Sequence, residues 1–225
     1  MLTKRLSEIL THTQGSATLA DVGCDHGYLG YEALKRGYAL RVIATDVSDK
    51  SLDKARRLFC ENGYIDRVEF RCGDGLSVLG EDEADTVVIS GMGGREIVKI
   101  LSNAHSKYEK LVLSPQSDID TVRRYLVGHG YRLNHDYVMK DTKFYWIIVA
   151  EPGDDTYTEA EYIFGRDNLS GNYSDFIEWL DSETERFRAV ADATVSDTVR
   201  SKFLNDAEQF QNLKKHVLSG GIQNV

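Results

Sequence analysis

A chain of 225 residues with 41% hydrophobic content is long enough to bury one full α/β core with a smaller appendage, and its two prolines exclude a linker-rich or disordered protein. Three cysteines without a C-x-x-C spacing (Cys24, Cys60 and Cys72) and six histidines without an H-x-x-x-H pattern exclude a disulfide framework and leave no metal site to expect. The formal charge of −9 is uneven: residues 1–150 hold 20 Lys and Arg against 21 Asp and Glu, a net of −1, whereas residues 151–225 hold 7 against 15, a net of −8.

The chain opens on MLTKRLSEIL, where Leu2, Leu6 and Ile9 recur at helical spacing and do not form a signal-peptide block. The longest apolar run, 144-FYWIIVA-150, falls far short of the roughly 20 residues that span a bilayer. Both features read as a cytoplasmic protein that does not enter membranes. From residue 19 to about 130, short β-branched runs alternate with amphipathic segments: 19-LADVG, 41-RVIATD, 68-VEFRC, 85-DTVVISG and 110-KLVLS. That alternation predicts five βα units and a doubly wound parallel sheet, with the helix over 49–63 closed by Gly63.

The first strand runs into 21-DVGCDHG-27, at the crevice where ligands of such sheets bind. A dinucleotide fingerprint needs a glycine where this chain has Asp25, and acids at a helix mouth repel a diphosphate. A cationic nucleoside, S-adenosylmethionine, is complemented by Asp21 and Asp25. The bland alternative is a turn whose acids cap the next helix. Asp46 ends the second strand 19 residues after Gly27, placed to accept ribose hydroxyls, with Val47 against the adenine. In 73-GDG-75, Asp74 and Gly75 follow the third strand, Asp74 facing the adenine amino group. Singly, each acid is as well explained as a cap or turn residue, but three acid-bearing turns after three consecutive strands make coincidence harder.

The fourth strand ends in 90-SGMGGREI-97; in methyltransferases this strand end faces the reacting methyl group, so Gly91, Met92 and Gly93 are expected to shape the acceptor pocket, the alternative being a glycine-rich helix start required only by packing. After the fifth, 114-SPQSD-118 offers Gln116, whose amide suits a nucleobase edge. Tyr28, opening the next helix after the first strand, offers a stacking surface or a core side chain. The runs 131-YRLNHDYVM-139 and 143-KFYWIIVAE-151, separated by 140-KDT, predict an antiparallel hairpin. A parallel sheet finished by such a hairpin separates class I methyltransferases from dinucleotide dehydrogenases. Beyond the polar break at 152–158, Phe176, Leu180, Phe187 and Val190, then Val199, Phe203, Phe210, Leu213 and Val217, make facing apolar seams, which predicts an α-helical coiled-coil hairpin. Domain boundaries of 1–151 and 152–225 follow.

Taken in this order, ADVGCDHGYLG, ATDVS, GDGL, SGMGG, LSPQSD and KFYWII resemble the bacterial tRNA (adenine-22-N1)-methyltransferase family. The likeness is close over about residues 2–151 and architectural beyond. It implies a Rossmann-like catalytic domain, a coiled-coil domain, and methyl transfer from S-adenosylmethionine to an adenosine of the tRNA D-arm. It gives the donor site as Gly23, Asp25, His26, Asp46, Val47, Asp74 and Gly91, with Arg5 nearby. Some members carry Gln-Pro where this chain has Ser114-Pro115. Basic residues of the first part (Lys54, Arg56, Arg57, Arg123, Arg124, Lys140 and Lys143) are expected to meet the polyanion. A small-molecule methyltransferase and a catalytically silent RNA-binding protein on the same fold stay open as alternatives.

Overall fold

The computed structural model describes residues 2–171 and 174–219. Helix α1 (Lys4–Thr11), capped by the Thr3 side chain, leads into β1 (Ser16–Val22), α2 (Tyr28–Lys35), β2 (Ala39–Asp46) and α3 (Asp49–Glu61). Then come β3 (Val68–Cys72), β4 (Thr86–Ser90), α4 (Gly94–Ser102), β5 (Lys110–Ser114), α5 (Ile119–Gly128), β6 (Tyr131–Lys140) and β7 (Phe144–Pro152). The seven strands form one sheet in the order β3-β2-β1-β4-β5-β7-β6. Strands β1 to β5 are parallel, and β7 enters antiparallel between β5 and β6.

Alternate side chains along each buried strand face opposite layers, as a two-residue period requires. Leu19, Val42, Ala44, Val88 and Val112 pack under α1, α2 and α3 with Leu34, Leu52 and Phe59. Ala20, Val22, Val87, Ile89, Leu111 and Leu113 pack under α4 and α5 with Ile97, Ile100 and Leu126. Chain order reverses between β1 and β4, which opens a crevice at their carboxyl ends.

The expectation of five βα units is corrected at the third. Residues 73–85 between β3 and β4 contain no helix; they run through turns that bury Leu76, Leu79 and Ala84. Gly73, Gly75 and Gly80 leave no uninterrupted helical stretch there, and Gly75 takes a left-handed conformation (φ 59°). Glu83 fastens this loop by accepting from the Gly80 N–H and pairing with Arg71, which holds its carboxyl down at about 2.

After β7 the chain forms α6 (Glu159–Phe164), α7 (Arg166–Ser170), α8 (Ser174–Ala193) and α9 (Asp197–Leu218). Helices α8 and α9 pack along the expected seam, with the Phe187 ring 5.9 Å from Phe203 and 5.4 Å from Phe210. Val199 departs from it and is exposed. The root of the helical pair rests on the sheet through Phe176, Leu180 and Val217 against Val138 and Trp146.

Candidate active site

One cavity of about 620 Å³ opens at the β1/β4 crevice, a volume suited to a nucleoside-sized ligand. Arg5, Asp21, Gly23, Asp25, His26, Asp46, Val47, Asp74, Gly75 and Gly91 all line it, as do Tyr28, Met92 and Gln116. Gly93 does not: it sits at the N-cap of α4 in an extended conformation, where a Cβ would lie 3.2 Å from Ser117 Oγ. Sequence reasoning missed Cys24, Glu96 and Ile100, which also contribute to the wall. The spacing of α4 after SGMGG could have flagged Glu96, since its first turn must face the crevice.

The β1–α2 loop is held from two sides. Gly23 and Cys24 both donate to Thr45 O at 2.9 Å, and the Asp25 N–H donates to Asp46 Oδ2 at 3.0 Å. The other carboxylate oxygen of Asp46 accepts from the Ser48 N–H at 2.8 Å. Asp46 therefore fixes two loops and keeps lone pairs for a ligand. Asp25 adopts a left-handed conformation (φ 51°) that leaves its side chain exposed at the cavity. Gly23 is required by contact, because a Cβ there would stand 2.3 Å from Met92 Cε.

His26 Nε2 lies 3.0 Å from Lys54 Nζ. An ammonium has only protons to offer, so Lys54 is the donor of this contact. Asp74 lies 3.6 Å from Lys99, which also pairs with Glu96 at 3.5 Å; these exposed pairs leave Asp74 free to exchange partners. Tyr28 and Val47 are exposed at the rim.

Asp21 is buried and accepts from the Gly30 N–H at 3.2 Å. Burial pushes its carboxyl up to about 6, the Gly30 N–H pulling back and Asp46 adding to the rise. Burial, followed by Asp21, Asp46 and Asp25, also drives the Cys24 thiol upward, so it stays protonated and unreactive. A carboxyl raised on folding contributes stability that is complete below its unfolded value and lost as pH climbs through about 6. Asp21→Asn is accordingly expected to stabilise the ligand-free protein at pH 8 by something on the order of 2 kcal/mol. The gain should fade toward pH 4, and urea unfolding at both values reads it. An unchanged or lower midpoint at pH 8 would count against a strained carboxylate.

The basic residues expected to meet a polyanion are mostly committed elsewhere. Arg123 is buried against Asp136, Arg124 pairs with Glu159, Lys140 with Glu178, and Lys54 bonds His26. Arg56 pairs with Asp53 at 3.2 Å. Arg57 and Lys143 are exposed and have no carboxylate within salt-bridge distance among the described residues.

A parallel sheet closed by an antiparallel hairpin, with acid-bearing turns around a nucleoside-sized cavity at the switch point, defines a class I methyltransferase. Residues 2–148 match the family described as "Methyltransferase domain". Within that class the chain belongs to the bacterial tRNA (adenine(22)-N(1))-methyltransferase family: it is 34% identical to the Bacillus subtilis (strain 168) enzyme of that name over 157 residues, covering 68% of this chain and 66% of the relative. The crystal structure of the B. subtilis m1A22 tRNA methyltransferase TrmK superposes with a TM-score of 0.80 at 27% identity, covering 97% of this chain and 99% of that one. Streptococcus pneumoniae Sp1610 in complex with S-adenosyl-L-methionine gives a TM-score of 0.85 at 26% identity, over 95% of this chain and 100% of the other.

Proposed function

We propose that this chain transfers the methyl group of S-adenosylmethionine to N1 of an adenosine, position 22 in the D-arm, of tRNA. The observation that carries the reading is the convergence of Asp21, Asp25, Asp46 and Asp74 on one cavity at the switch point. Four carboxylates suit a donor bearing sulfonium and ammonium groups, and they oppose a diphosphate. Asp46 accepts ribose hydroxyls with the lone pairs its main-chain bonds leave open, Val47 covers the adenine, and Asp74 meets the adenine amino group. Gly23, His26, Gly75 and Gly91 complete this donor side. Arg5, which the family resemblance gives to the donor, and Gln116 both approach Gly91: a Cβ built there would lie 3.8 Å from Gln116 Nε2 and 3.9 Å from an Arg5 guanidinium nitrogen. Arg5, Tyr28, Met92 and Gln116 form the acceptor side.

Adenine N1 attacks with its own lone pair, so the N1–CH3 bond forms as the S–CH3 bond breaks, with no proton removed beforehand. The positive charge passes from sulfur to the methylated base. Placement is then the main contribution of the protein. The base must leave its stack for N1 to enter the cavity, and the exposed Tyr28 ring is the surface on which it rests. On this reading residues 1–151 form the catalytic domain and 152–225 a helical coiled-coil domain, and the enzyme works on tRNA in the cytoplasm. Among the described residues no helix is long and apolar enough to cross a membrane.

A methyl on N1 blocks the Watson–Crick edge, so reverse transcription of treated tRNA is expected to stop at the modified adenosine. Incubating unmodified transcript with enzyme and donor, then mapping stops, is the decisive measurement. A product methylated on N6, or no RNA product from several tRNAs, would shift the reading to a small-molecule methyltransferase or a silent RNA-binding protein.

A further inference from the structure

We infer that Arg5, Tyr145 and Lys143 form a phosphate seat at the mouth of the cavity, which holds the RNA backbone beside the target adenosine. The inference rests on the reading of the chain as a tRNA methyltransferase and adds to it the residues that grip the acceptor strand.

Among the described residues lining the cavity, Arg5 is the one lysine or arginine, against the carboxylates of Asp21, Asp25, Asp46, Asp74 and Glu96. Its guanidinium is half-buried, lies 4.9 Å from the centroid of the Tyr145 ring, and has no hydrogen-bond or carboxylate partner among the described residues. Lys143 approaches the same ring at 5.3 Å and is exposed. Two cations with no carboxylate within salt-bridge distance among the described residues share one aromatic ring, an arrangement that an anion would complete. A guanidinium on a fixed ring offers the planar donor fork that suits phosphate oxygens, and the ammonium adds a point charge.

The seat is built before any ligand arrives. Strand β6 runs parallel to β5, so the turn between β6 and β7 projects at the same end of the sheet as the cavity. There the Arg5 N–H donates to Asp141 Oδ2 at 3.1 Å, and Lys4 Nζ donates to Lys140 O at 2.6 Å, stapling the first turn of α1 to the hairpin turn. Carboxylates of α8 compensate the outer cations, Glu178 on Lys140 and Asp175 3.9 Å from Lys4. Asp141 is spent on the main chain of Arg5. Arg5 and Lys143 are left without a carboxylate partner among the described residues.

The position of Lys143 decides between two sources of anion. The donor also carries a carboxylate, but Lys143 is not part of the cavity wall, so the strip leads outward from the site, as a polynucleotide does. Wild type, Lys143→Gln, Lys143→Arg and Arg5→Gln are to be compared in the full chain. Donor affinity is measured by calorimetry without RNA, and tRNA affinity at several salt concentrations. Each neutral variant is expected to weaken tRNA binding about tenfold and to reduce the salt slope by about 1, with Lys143→Arg restoring most of both. Donor affinity is expected to stay at the wild-type value in both Lys143 variants, since Lys143 lies outside the cavity wall. A loss of donor affinity in Lys143→Gln assigns the seat to the donor carboxylate and overturns the inference, as does an unchanged salt slope in both neutral variants. Failure of the underlying reading looks different: wild type itself then methylates no tRNA, while the salt slope still reports on the seat.

Discussion

Replacing Arg123 by alanine is expected to destabilise the protein by about 3–5 kcal/mol, the usual cost of leaving one member of a buried ion pair alone. Both partners are inaccessible to water: the Arg123 side chain is 0% exposed and that of Asp136 1%. Arg123 Nε donates to the two carboxylate oxygens at 2.9 and 2.8 Å, and NH1 donates to Tyr162 O and Ile163 O, both at 3.0 Å. The guanidinium also lies 4.8 Å from the Trp146 ring, and Tyr157 adds its hydroxyl to Asp136 at 3.2 Å. This cluster joins α5 and β6 to α6, and a glycine at 165 is part of it. A Cβ on Gly165 would come within 2.9 Å of Arg123 NH2 and 2.8 Å of Asp136 O, at a φ of 81° that already disfavours side chains.

Burial raises the Asp136 carboxyl and outweighs the opposing pull of Arg123. A raised carboxyl contributes stability at low pH that is lost as pH rises, so removing the cation hurts least where Asp136 can hold a proton. The loss in Arg123→Ala should therefore be smaller at pH 5 than at pH 8. The double variant Arg123→Met with Asp136→Leu removes both charges and should recover much of the loss, since a buried pair often does no better than apolar replacements. Urea midpoints for the three proteins measure all of this. A single variant less than about 1 kcal/mol below wild type would show that water reaches the pair.

The same pair shows where sequence reasoning stops. In 119-IDTVRRYLVG-128 the helical period buries Val122 and Leu126, and Arg123 between them reads as a surface cation available to RNA. Only the fold brings Asp136 of the edge strand over it, and an ion pair between separate elements leaves no periodic signal. The strands were legible because buried parallel strands must be β-branched runs, and KDT is too short for anything but a hairpin. The cavity wall was legible because ligands of this topology meet the strand ends, so the residues after Val22, Asp46, Cys72 and Ser90 had one place to go. Gly93 failed by a single position, since the turn into α4 sends neighbouring residues to opposite sides. The missing third helix was a conflict between glycine spacing and the expected alternation, and the glycines prevailed.

Asp46→Ala is expected to lower donor affinity by roughly ten- to hundredfold, which corresponds to about 1.5–3 kcal/mol for a hydrogen bond to a charged group. Its carboxylate does two things at once. Through Asp25 N and Ser48 N it fixes the loops after β1 and β2, and on the proposed reading its remaining lone pairs receive the ribose hydroxyls. Asp46→Asn separates these roles. The amide oxygen can still accept from one loop N–H, but the amide nitrogen faces the other as a second donor and must turn away. Asparagine should then retain part of the loop order and lose the charge, falling between alanine and wild type in donor affinity. Calorimetric titration of all three proteins with donor, alongside their thermal midpoints, distinguishes recognition from scaffolding. If the midpoints fall while donor affinity holds, Asp46 is a loop fastener alone and the ribose is read elsewhere on the wall. If affinity falls at unchanged midpoints, the carboxylate touches the donor, and the order of the loop after β1 is secured by Thr45 O.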